Sequence, residues 1–206
     1  MKALNALFAT LLLTGTGTAL AASSVDLTVR GLITPSACEP SVSGGGNVDI
    51  GKISAKDLNA NTETPLADHT LQVTVTCDAA TLMAIEPKDN RAGSASVTKD
   101  TAFGLGLVNS NEKLGYFEMT LGSAVADGVN VDPIASRDNG LTWALLVSLI
   151  NNGITSIANS ATVAPVPVQS LVADLTVSPF IAPANGLTLT EEVPIDGSTT
   201  LTVKYL

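Results

Sequence analysis

The chain is poor in the residues that most site chemistry relies on. Its 206 residues include two cysteines and one histidine, and aromatics make up only 3%. A zinc shell needs three or four His, Cys or acidic ligands, and this chain has little to spare for one. The lone histidine, His69, lies in a polar stretch without a nucleophile motif, which leaves a Ser-His-Asp arrangement unsupported. Basic residues are scarce too, at 10 Lys and Arg against 19 Asp and Glu, for a net charge of −9. Such a balance argues against nucleic acid or an anionic membrane surface as partner. Glycine-rich phosphate loops are missing as well: Gly44 to Gly46 lead into a strand pattern, and Gly51-Lys52 lacks the glycine-rich lead. Asp127, Asn130 and Asp132 do not have the spacing of a helix–loop–helix calcium site and read as a turn. No cofactor and no enzymatic activity are therefore expected. Carboxylates brought together from distant strands leave a secreted hydrolase as a distant third reading.

Long apolar runs are also lacking. A membrane-spanning helix needs about 20 apolar residues. The longest run after the N-terminus, Leu141 to Ile150, ends at Asn151-Asn152-Gly153, so no transmembrane segment is expected. At the N-terminus, Lys2, the apolar stretch Ala6 to Leu13 and the small residues Ala19-Leu20-Ala21 have the pattern of a secretory signal over residues 1–21. Removing it takes away Lys2, the one charge in that segment, so the remaining chain carries −9 − 1 = −10. Export explains the cysteines: Cys38 and Cys77, the only pair in a chain bound for an oxidising compartment, are expected to form a disulfide. A lone pair without a C-x-x-C arrangement is read as structural.

What the chain does have is alternation. Val25, Leu27 and Val29 alternate with Asp26, Thr28 and Arg30; Leu71, Val73 and Val75 alternate with Gln72, Thr74 and Thr76. A period of two is the mark of a strand with one buried face. Short strands are expected at Val48 to Ile53 and at Leu82 to Ile85, the latter stopped by Pro87. Others follow at Phe103 to Leu107, Phe117 to Leu121 and Leu171 to Val177, then from Leu187, and at Thr199 to Tyr205. The longest clean alternation, Leu141, Trp143, Leu145, Val147 and Leu149, predicts an inward-facing strand that turns back at Asn152-Gly153 into Ile154 to Ala158. Trp143 is read as core, with a carbohydrate platform as the minority reading. Regularly spaced strands without helical periodicity predict an all-β, immunoglobulin-like sandwich with one disulfide, a single domain over residues 22–206.

The order of these features resembles a chaperone–usher pilin subunit. The likeness rests on the signal, the alternating segment, Val29-Arg30-Gly31-Leu32-Ile33 before Cys38, the second cysteine after an alternating run, and a terminal strand with penultimate Tyr205. Gly104-Leu105-Gly106 and Asp89-Asn90-Arg91-Ala92-Gly93-Ser94 also resemble an uncharacterised family of secreted β-proteins from proteobacterial fimbrial gene clusters. The resemblance implies a sandwich lacking its final strand, with a hydrophobic groove beside the C-terminal strand. A periplasmic pilus chaperone fills that groove first, and the N-terminal extension of another fimbrial subunit replaces it at an outer-membrane usher. On that resemblance residues 22–30 are the donor segment, with Val25, Leu27 and Val29 as donor residues. Leu201, Val203 and Tyr205 lie on the strand that a chaperone would pair with. The expected protein is a structural or adhesive subunit passing through the periplasm to a surface fimbria, where a host or surface receptor is a further partner. The alternative is a self-contained periplasmic or surface ligand-binding sandwich, in which Val25 to Val29 would be the protein's own first strand.

Overall fold

The computed structural model describes residues 27–29, 31 and 37–206. The expected signal, Val25 and most of the expected donor segment lie outside the described residues. Contacts divide the chain into Met1–Ile33 and Thr34–Leu206. In the first unit Leu27 and Val29 belong to no strand and are 88% and 87% exposed.

The second unit is built from antiparallel strands. In order they are β1 (Cys38–Val42), β2 (Thr64–Pro65), β3 (His69–Thr81), β4 (Met83–Asp89), β5 (Phe103–Gly104), β6 (Leu107–Val108) and β7 (Glu112–Lys113). Then come β8 (Gly115–Ala126), β9 (Val129–Asn130), β10 (Asp132–Ser136), β11 (Ala144–Leu145), β12 (Ile154–Ala158), β13 (Val168–Ile181) and β14 (Thr199–Tyr205). Among the described residues there is no α-helix. One sheet runs β1-β3-β13-β8-β5, with β2 on β13 and β9 on β8. The other runs β11-β10-β12-β4-β14, and β6 with β7 makes a small separate ladder.

The core lies between the two large sheets. Alternation turns Val73, Val75 and Cys77 of β3, Leu171 and Leu175 of β13, and Met119 and Leu121 of β8 inward against Met83 and Ile85 of β4 and Ile157 of β12. With so few aromatics the filling is aliphatic, apart from Phe103 stacked on Phe117 at 5.5 Å between ring centroids. The predicted all-β sandwich is thus the fold observed, and Cys38 and Cys77 are bonded directly across the β1–β3 ladder. Closing a loop of 39 residues stabilises the fold by about 4 kcal/mol on the chain-entropy account.

Several expected strands differ. Leu141 to Leu149 is not one inward strand: Ala144 and Leu145 pair with β10, and Leu141, Leu145 and Val147 are exposed. The segment leaves β10 and crosses to β8, where Ser148 bridges Thr120, so it spans the two sheets instead of lying in one. β12 returns as expected but pairs with β10 and β4. Neither Val48 to Ile53 nor Leu187 and Leu189 lies in a strand. Conversely, β4 and β13 run through Pro87 and Pro179. β12 pairs with β4 only at Ile85, so one side of β4 has no ladder at Pro87. β3 likewise leaves β13 after Val177, and β2 joins β13 only at Phe180. A residue without an N–H is tolerated where the ladder is interrupted.

Candidate functional site

β1 edges one sheet and β14 edges the other; among the described residues β1 pairs only with β3 and β14 only with β4. The two edges flank a groove of about 620 Å³. Its floor is the core itself, including buried Val73, Ile85, Leu105, Phe117 and Met119. Its walls are Pro40 to Val42 and Val48 on one side, and Ile195, Gly197, Leu201 and Val203 on the other. Among the described residues, none that is charged lines it.

The local sequence explains the gap. β1 ends at Val42 because Gly44, Gly45 and Gly46 take φ values of 63°, 66° and 73°, a left-handed run that residues with a Cβ rarely adopt. The chain therefore swings out of the sheet, and residues 47–54 belong to no strand. Across the groove, residues 187–198 are irregular until β14 begins at Thr199. At one end the groove is closed, where the Cys38 N–H donates to the Tyr205 hydroxyl at 3.0 Å. At the other it meets a second cleft of about 500 Å³, with Ile195 lining both. There Lys52 and Glu192, both highly exposed, join the two walls by an ion pair at 2.8 Å.

Of the residues singled out from the sequence, Leu201 and Val203 line the groove, half-buried. Tyr205, exposed, stands at its closed end. The others are elsewhere. His69 opens β3 opposite Val177 and is part of a strand, not of the polar loop expected. Trp143 is half-buried and donates its indole N–H to the Gly140 carbonyl at 3.1 Å. Asp127 sits at the β8–β9 turn and accepts the Ser170 N–H at 2.8 Å, in keeping with a turn role. Among the described residues no group of three or more His, Cys, Asp or Glu could hold a metal ion.

The Asp89-Asn90-Arg91 turn gains a role that its sequence did not disclose. Asp89, almost fully buried, accepts the Arg91 N–H at 2.7 Å and the Gly104 N–H at 3.0 Å. Arg91 forks onto Asp196, whose carboxyl its guanidinium hydrogen bonds hold below the usual range. Gly197 lies close against the core: a Cβ there would stand 2.9 Å from Leu105 Cδ2 and 3.0 Å from Phe117 Cε1, so those side chains would have to shift. A polar triplet directly after a strand was the signal available for this turn; nothing in the sequence named Asp196 as its partner.

The sequence family described as "Protein of unknown function (DUF1120)" matches residues 27–116. That stretch holds both cysteines, the wall from Pro40 to Ile50 and the Asp89 turn, and it ends before β14. Over nearly the whole chain two proteins of Escherichia coli (strain K12) are similar. Protein GltF is 28% identical over 233 aligned positions, covering 91% of this chain and 91% of that protein. Uncharacterized protein YhcF is 26% identical over 223, covering 91% and 93%.

Proposed function

We propose that this protein is an exported structural or adhesive subunit of a surface fimbria, one that accepts a β-strand from another chain. The observation that carries the reading is the uncharged groove between two unpaired strand edges, β1 and β14. An extended segment laid there would pair its backbone with an edge and set alternate side chains on the apolar floor, the strand-addition mode of recognition. An unpaired edge beside an apolar floor is a liability that proteins normally cover.

The chain has a segment of matching chemistry. Val25, Leu27 and Val29 alternate with polar residues, and Leu27 and Val29 are exposed where described. Burying three such side chains would contribute about 5–9 kcal/mol, at about 1.5–3 kcal/mol each. On this reading a periplasmic chaperone occupies the groove first, and the N-terminal segment of another subunit replaces it at an outer-membrane usher. The disulfide fits passage through an oxidising compartment.

The test is coexpression of the full chain with a pilus chaperone in the periplasm, followed by size exclusion. A stoichiometric complex dissociated by a peptide of residues 22–33 is expected. A stable monomer that takes up neither chaperone nor peptide would overturn the reading.

A further inference from the structure

We infer that Arg91 is a positioning residue for the groove, holding its wall at residues 196–200 in the form that an incoming strand needs; the inference rests on the strand-acceptor reading. Gly197 and Ser198 line that wall just before β14 begins, outside any strand. Irregular backbone must find its hydrogen bonds outside a ladder. Here the turn after β4 supplies them. The Asn90 N–H donates to the Ser198 carbonyl at 2.9 Å. The Asn90 side-chain amide donates to the Ser198 and Thr200 hydroxyls, both at 3.0 Å. Arg91 Nε donates to the Asp196 carbonyl at 3.1 Å and to its Oδ2 at 2.9 Å, and Nη2 donates to Oδ1 at 2.7 Å.

The turn is itself fixed from beneath. Buried Asp89 ties it to Gly104, and the Ser94 hydroxyl accepts the Gly106 N–H at 3.1 Å. The Asp196 N–H donates to the Leu105 carbonyl at 3.1 Å. The grip on the wall is thus anchored in the groove's own floor, since Leu105 lines it. The side chains of Arg91 and Asp196 remain 38% and 56% exposed. An ion pair that wet adds little to global stability. Its effect is local, falling on a wall segment that runs irregularly up to the start of β14, and this separates positioning from general support of the fold.

The test uses the full chain, a labelled peptide of residues 22–33, and the variants Arg91→Ala and Arg91→Lys. Peptide affinity, urea midpoint and amide exchange along the chain are measured together. Arg91→Ala is expected to weaken peptide binding about fivefold, the upper range for a solvent-exposed bidentate pair. Exchange should quicken at residues 196–200, while β3, β8, β13 and the urea midpoint stay unchanged. Arg91→Lys, which keeps the charge but loses the fork, should fall between. Undiminished binding by Arg91→Ala would overturn the inference and leave the acceptor reading standing. So would a loss accompanied by faster exchange throughout and a lower midpoint. If the unsubstituted chain binds no peptide, the acceptor reading fails, and this inference falls with it.

Discussion

The backbone amide of Cys38 donates to the phenolic oxygen of Tyr205 at 3.0 Å, across 167 residues of sequence. It ties the edge of one sheet to the edge of the other at the end where the disulfide already holds β1 to β3. A single hydrogen bond thereby bridges the two edges beyond one end of the groove. Tyr205→Phe keeps the ring and removes only the acceptor. The expected loss in urea denaturation is about 0.5–1.5 kcal/mol, the net worth of one such bond. An unchanged midpoint would show that the closure does not depend on it.

Alkylation of the natively purified chain without reductant should label no thiol. Replacing both cysteines by alanine should cost about 4 kcal/mol on the loop-entropy account, read as a lower urea midpoint. A free thiol in periplasmic material would contradict the pairing.

Two glycines of β8 make a controlled comparison. A Cβ at Gly115 would stand 2.1 Å from the Phe180 carbonyl oxygen, whereas at Gly122 nothing lies within 4 Å. Gly115→Ala should therefore destabilise by about 1–3 kcal/mol, as overpacking does. Gly122→Ala should stay within about 0.5 kcal/mol of the parent. Equal thermal midpoints for the two variants would refute the close approach at Gly115.

Leu27→Asp and deletion of residues 201–206 separate the two ends of the chain. The first should leave the urea midpoint within about 0.5 kcal/mol and abolish donation to another subunit, because an unpaired charge is too costly to bury. The second removes most of β14 and should prevent both folding and chaperone capture, read by size exclusion. If Leu27→Asp unfolds the monomer as severely as the deletion, residues 22–30 are the protein's own strand and the fimbrial reading is wrong.

Asp138 provides a pH signature. The Thr142 hydroxyl, the Ser136 hydroxyl and the Thr142 N–H hold its carboxyl down to about 2. An unfolded aspartate titrates near 3.9. With the folded value below the unfolded one, its contribution to stability is present above about pH 4 and lost as the pH falls toward 2. Carboxyl titration by NMR should find Asp138 still ionised at pH 3, and a midpoint near 4 would show those bonds are not made in solution.

Alternation was informative where a strand turns alternate residues toward the core. The terminal strand at Thr199 to Tyr205 and the inward side of β3 were legible for that reason. It misled at Leu141 to Leu149, where the apolar residues recur every two positions but the backbone crosses between sheets, so Leu145 and Val147 face outward. Proline misled in the other direction, because whether it ends a strand depends on a neighbour's ladder, which lies elsewhere in the sequence. The strand expected over Phe103 to Leu107 is split into β5 and β6, and a close approach falls at Gly104, where a Cβ would stand 2.0 Å from Ser94 Oγ. The groove itself was expected only from resemblance. Its walls come from residues far apart, and a gap between two edges has no local pattern.

That separation also orders events in time. One wall is synthesised by residue 50 and the other is not complete until residue 205, so an emerging chain carries its exposed apolar floor long before it has a slot to offer. Such surface is prone to aggregate during folding. A partner that recognises the finished slot, and not the floor alone, would handle only chains whose last strand has been delivered.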